Sequence, residues 1–268
     1  MEYFFEGDMY MGIMERKDSR IPMPFVDDTQ GISSIKALLM ILIPVIIMTI
    51  TVNTGHQYSA GVVNSFESLF LGDLVKFTLW VLIPFLLMTI SLGLIFGKEL
   101  KGFFSGSLKK NWKLIVGIVL LGFLVSGVMS IAFKVLHIPV ESNAAVKDFS
   151  LHSLGYISIS NLLSLFNEEI IGLTSFIGST ILIRNIFKTS RNVSLWIGML
   201  VSAVIFGMLH YDAYNGNIPQ ILLIIGSLRL VFNFSFTRSK NIVISFVCHY
   251  IYDELIFIIA VVPVLLKS

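Results

Sequence analysis

Long apolar runs, separated by short charged clusters, fill the chain from residue 37 onward. A helix that crosses a bilayer needs about 20 largely apolar residues. Runs of that kind cover residues 37–52, 77–96, 114–136, 154–187, 193–210, 218–236 and 242–262. The pattern predicts an all-α fold, a polytopic transmembrane bundle of about seven to eight spans. The fourth run is too long for one crossing. Asn167, Glu168, Glu169 and Gly172 interrupt it, and it reads as a short span followed by a second helix at the interface. Pro44 and Pro84 fall inside the first two runs, where they are expected to kink the helices. Ahead of these runs, residues 1–36 read as a soluble tail with a short amphipathic piece at 3–14, and without the features of a cleavable signal. Residues 37–153 then hold the amino-terminal helices, and residues 154–268 the half in which polar groups recur.

Composition narrows the class. Of 268 residues, 55% are hydrophobic and 13% charged, with a mean hydropathy of +0.85, whereas soluble domains carry about 25% charged residues. A net charge of +2 supplies no basic patch for nucleic acid. The single cysteine, Cys248, excludes an internal disulfide framework and a Cys-rich zinc module. Lys and Arg collect in alternate connections: the tail (Arg16, Lys17, Arg20, Lys36), then Lys98 to Lys113, then Arg184 to Arg191, then Arg238 and Lys240. The opposite side has only Lys76, Lys134, Lys147 and Lys267. This bias predicts a cytoplasmic amino terminus in a multi-pass membrane protein, in the plasma membrane if the chain is bacterial.

An ionisable side chain inside the bilayer costs about 2.5–3.5 kcal/mol or more, so those within the runs are the candidates for chemistry. They are Glu168 and Glu169 in the fourth run, His210 closing the fifth, Arg229 in the sixth, and His249 with Asp253 in the seventh. Coming from separate helices, they can converge on one cavity. Adjacent helical residues point about 100° apart, so one glutamate can face a cavity while the other bonds to a neighbouring helix or loop. A carboxylate in such a cavity suits a general base that takes a proton from water; the pair also reads as an exposed break between two helices. Phe206 and His210, four apart, share a helix face, and a histidine there can accept a proton, orient a water or bind a metal. His249 and Asp253 are also four apart, so the carboxylate can fix the imidazole tautomer, or the two form a structural contact between helices. At 1.5 Å per residue, His210 lies at the outer end of its run and His249 about 10–12 Å from the inner end of its own, so they meet only if the helices are staggered.

Glu168-Glu169, Phe206-Gly207-Met208-Leu209-His210 and His249-Tyr250-Ile251-Tyr252-Asp253, in this order on three successive stretches, resemble the E-E-x3-R, F-x3-H and H-x3-N/D motifs of the CAAX protease and bacteriocin-processing family of intramembrane endopeptidases. The resemblance covers roughly residues 154–262 and identifies residues 154–268 as the catalytic core. It departs at Leu173, where the family has arginine in support of the glutamate pair; Arg229 and Arg184 are the candidates to replace it. By the resemblance, Glu168 activates a water with help from His210, Glu169 is the supporting carboxylate, and His249 with Asp253 stabilises the oxyanion. The implied function is hydrolysis of a peptide or membrane-protein substrate near the cytoplasmic face. The alternatives are a non-catalytic scaffold or bacteriocin self-immunity protein, which Leu173 keeps open, and a transporter. Glu168, His210 and His249 are the candidate ligands for a divalent metal such as zinc, but H-E-x-x-H spacing is absent and a metal-free glutamate mechanism is also held for the family.

Overall fold

The computed structural model describes residues 23–27, 32–64, 69–105, 107–143 and 151–265. Among them the architecture is entirely helical apart from one isolated bridge between Phe104 and Asn241, and seven helices are long and apolar enough to cross a membrane. The chain forms α1 (Ser34–Asn64), α2 (Leu69–Phe77), α3 (Ile83–Phe96), α4 (Trp112–Val135), α5 (Leu151–Phe187), α6 (Arg191–Met208), α7 (Gly226–Ser239) and α8 (Ile242–Leu265). α2 and α3 are one span joined through a π-turn, Thr78–Leu82, and a second π-turn, Ile221–Ile225, leads into α7.

The fourth apolar run is a single unbroken helix rather than a span and an interfacial piece. Its polar residues do not break it because neighbouring helices satisfy them. Asn167 donates to the Val81 carbonyl of the first π-turn at 3.3 Å, Ser202 of α6 donates to the Gly172 carbonyl at 2.7 Å, and Asn233 of α7 donates to Ser202 at 3.1 Å. α5 is the most deeply buried span and packs against α1, α6 and α8. Its antiparallel crossing with α6 is close enough that a Cβ at Gly198 would stand 2.7 Å from the Phe176 carbonyl, the small-residue packing typical of membrane helices. By contrast, Leu120, Leu124, Val128 and Ile131 of α4 are exposed at three- and four-residue spacing, a face for lipid.

Residues 23–27, which belong to the stretch expected to be a soluble tail, pack into the bundle. Met23, Phe25 and Val26 are buried, and the Phe25 ring lies 5.3 Å from Phe96 and 5.1 Å from Phe103. Arg191 grips Asp27 through Nε at 2.6 Å and Nη2 at 2.8 Å, and Arg184 donates to the Val26 carbonyl at 2.7 Å. This clasp covers the α7–α8 turn: Lys240 is 1% exposed, with Nζ donating to the Thr237 carbonyl at 2.6 Å. Because that turn is buried, α8 starts inside the bundle, and the stagger that the histidines require follows. The amphipathic stretch 3–14 and Asp28 lie outside the described residues.

Candidate functional site

Glu168 and Glu169 sit near the middle of α5 and point apart, as helical geometry requires. Glu169 is fully buried. Arg229 of α7, also fully buried, donates to both of its oxygens, Nη1 to Oε1 at 2.9 Å and Nη2 to Oε2 at 3.0 Å. A carboxylate gripped in this bidentate way is ionised and only accepts, so His249 Nδ1, 3.0 Å from Oε1, is the donor in that contact. The His249 Nε2 atom is thereby turned toward Asp253 Oδ2 at 3.6 Å and Glu168 Oε2 at 3.9 Å.

Glu168 faces the other way, with 19% of its side chain exposed, and its Oε2 lies 3.7 Å from His210 Nε2. His210 follows the carboxyl end of α6, and its Nδ1 is 2.9 Å from the Phe206 carbonyl. Since a carbonyl only accepts, Nδ1 holds a proton, and Nε2 faces Glu168. A water within hydrogen-bond distance of both can sit at the apex of the 3.7 Å separation. Glu168 and His210 line a cleft of about 190 Å³, walled by Met48, Ile171, Phe206 and Leu209 and bordered by Asp212.

Aromatic rings fix the two histidines. Phe232 stacks on His249 at 4.4 Å and 24°, and Phe206 lies 4.7 Å from His210 and 6.2 Å from His249. The Arg229 guanidinium lies between these rings, 5.2 Å from Phe206 and 5.7 Å from Phe232. Next to Asp253, Glu254 turns away and ties α8 to α5 by accepting from Ser158 at 2.5 Å and Asn161 at 2.9 Å. In the turn after His210, burial pushes the Tyr214 phenol above its usual range. A hydrogen bond from Asn143 opposes this, and the carboxylates of Asp253 and Glu168 add to it, so Tyr214 stays a neutral hydroxyl.

All six residues singled out in the sequence, Arg229 included, therefore meet at one place. Of the two arginines considered in place of Leu173, Arg229 reaches the glutamates and Arg184 is engaged at Val26. Leu173 itself is fully buried among apolar side chains. Phe232 and Met48 were not foreseen. Phe232 lies one turn beyond Arg229, a spacing that offered a signal; nothing in the sequence connects Met48, on α1, to the cleft. Among the described residues, no group of three or more His, Cys, Asp and Glu is arranged to hold a metal ion.

Residues 170–255 match a family model described as Type II CAAX prenyl endopeptidase Rce1-like. The matched stretch contains Phe206, His210, Arg229, His249 and Asp253 and starts one residue after Glu169. No curated protein and no solved structure matches the chain.

Proposed function

We propose that the chain, whose residues 170–255 match the Rce1-like type II CAAX prenyl endopeptidase family model, is an intramembrane endopeptidase that hydrolyses a peptide bond of a peptide or membrane-anchored protein. The observation that carries this reading is the approach of His210 Nε2 and His249 Nε2 to within 3.7 and 3.9 Å of one Glu168 oxygen, from three different helices of an apolar bundle.

In this reading, a water held between Glu168 and His210 gives a proton to Glu168 as its oxygen bonds to the scissile carbonyl carbon. Negative charge then develops on the carbonyl oxygen. His249, donating through Nδ1 to Glu169, turns Nε2 toward the cleft; protonated there, it donates to that oxygen, with Asp253 balancing the added charge. Collapse breaks the carbon–nitrogen bond, and the proton held by Glu168 passes to the leaving amine. The apolar walls provided by Met48, Ile171 and Leu209 exclude bulk water from the reacting group. The reaction proceeds without a metal, and the amino terminus is cytoplasmic, on the side of the basic connections.

Replacing Glu168 by Gln and His249 by Ala in the native host, with protein abundance measured alongside, tests the assignment. Peptides present in wild-type cells and absent from both variants are expected. An unchanged peptide profile at normal abundance would sink the catalytic reading in favour of a scaffold.

A further inference from the structure

His210 and the basic α5–α6 connection lie at opposite ends of α6. Arg191 opens this helix beside the α5–α6 connection, and His210 follows its far end. Nineteen residues separate them, about 28 Å at 1.5 Å per residue, close to the roughly 30 Å of a hydrocarbon core. α5 repeats the measure in the opposite direction, with 19 residues from Glu168 to Phe187. The cleft is bordered by Leu209, His210, Asp212 and Ala213, all from the turn after α6.

That turn is covered by the α4–α5 connection and not by the clasp. Asn217 donates to the Pro139 carbonyl at 2.8 Å. Gln220 and the Glu141 backbone exchange hydrogen bonds at 2.8 and 2.9 Å, and Asn143 donates to Tyr214 at 3.4 Å. At the other end, Arg184 and Arg191 hold the clasp and Lys240 lies beneath it. Lys98, Lys101, Lys109 and Lys110 fall in the α3–α4 connection, which pairs with the α7–α8 turn through Phe104 and Asn241, and Lys113 lies in the first turn of α4. Charge thus divides unevenly between the two ends: most Lys and Arg lie at the clasp end, whereas the cleft end has Lys134 with Glu141 and Asp212. Lys and Arg mark the cytoplasmic side of a bilayer.

We propose that the cleft opens on the non-cytoplasmic face, so that the substrate is an exported peptide or the exoplasmic end of a membrane-anchored protein. This places the cut opposite to the cytoplasmic face expected from the family resemblance. The substrate class rests on the peptidase reading above, whereas the sidedness rests on charge and connectivity alone.

Single cysteines in a Cys248→Ala background of the full chain test it. Asp212→Cys and Ser142→Cys mark the cleft end, and Ser107→Cys marks the basic end; all three positions are exposed. A membrane-impermeant maleimide applied to intact cells or spheroplasts is expected to label Asp212→Cys and Ser142→Cys at least tenfold more than Ser107→Cys, with Ser107→Cys reaching the same level after permeabilisation. The reverse pattern overturns the proposal. So does labelling of both cleft-end cysteines only after permeabilisation, or only in denaturing detergent. Because the labelling needs no activity, its failure leaves the peptidase reading standing, and an inactive protein leaves the sidedness standing.

Discussion

Glu168 and Glu169 are chemically identical neighbours, and their surroundings give them different work. Glu169 spends both oxygens on Arg229 and His249, whereas Glu168 turns an oxygen toward His210 in the cleft. Arg229 then acts through Glu169 on the orientation of His249. Arg229→Leu should lower kcat about 100-fold or more, on the scale of a lost general acid or base, while KM stays within about threefold. Position 173 lies four residues beyond Glu169 on the same helix, and a long helical side chain leans toward the amino terminus. The double variant Arg229→Leu with Leu173→Arg should therefore recover at least about tenfold of the lost kcat. Equal losses in the single and double variants, at matched folded protein, would contradict the positioning role. Gly172 is the position that makes room for the guanidinium, since a Cβ there would collide with Arg229 Nη1. Gly172→Ala should cost about 1–3 kcal/mol of stability, read as a lower thermal midpoint, and should lower kcat by displacing Arg229.

At the scale of elements, the apolar runs were legible because hydropathy reports the length of a span directly. The continuity of α5 was not, because its polar residues are satisfied by Val81, Ser202 and Arg229, which are far away in sequence. The clasp was equally hidden. Met23, Phe25 and Val26 carry no helical or strand periodicity, and only the pocket formed by Phe96, Phe103 and Lys240 gives them a place. Burial works to raise the Asp27 carboxyl, but hydrogen bonds from Arg191 and from the Met23 backbone outweigh it and hold the group below its usual range. Its contribution, about 1.5–3 kcal/mol for charged hydrogen bonds, is therefore full above the unfolded carboxylate range and is lost as pH falls through the lowered value. Asp27→Asn should lower the thermal midpoint at pH 7 and make little difference near pH 2. An equal difference at both pH values would place the effect elsewhere than in the ion pair.

Over the whole molecule, three motifs spread across residues 168–253 were enough to name residues that the fold brings together, because i,i+4 spacing fixes which side chains share a helix face. Their relative depth was not readable, since it depends on where the α7–α8 turn sits, and that turn is held inside by a segment more than 200 residues earlier in the chain. In the glutamate–histidine reading the attacking water is activated without a metal, so activity should persist after prolonged dialysis against a divalent chelator. Loss on chelation with recovery on adding zinc would contradict the metal-free reading. The most direct test of the central claim is to reconstitute the purified full chain in proteoliposomes in ¹⁸O-labelled water with a quenched-fluorescent peptide library. The carboxyl termini newly formed by wild type and by Glu168→Gln are then analysed by mass spectrometry. The expected result is cleavage by wild type with one solvent oxygen in each new terminus, and a loss of about 100-fold or more in Glu168→Gln. Cleavage by Glu168→Gln at the wild-type rate would contradict it.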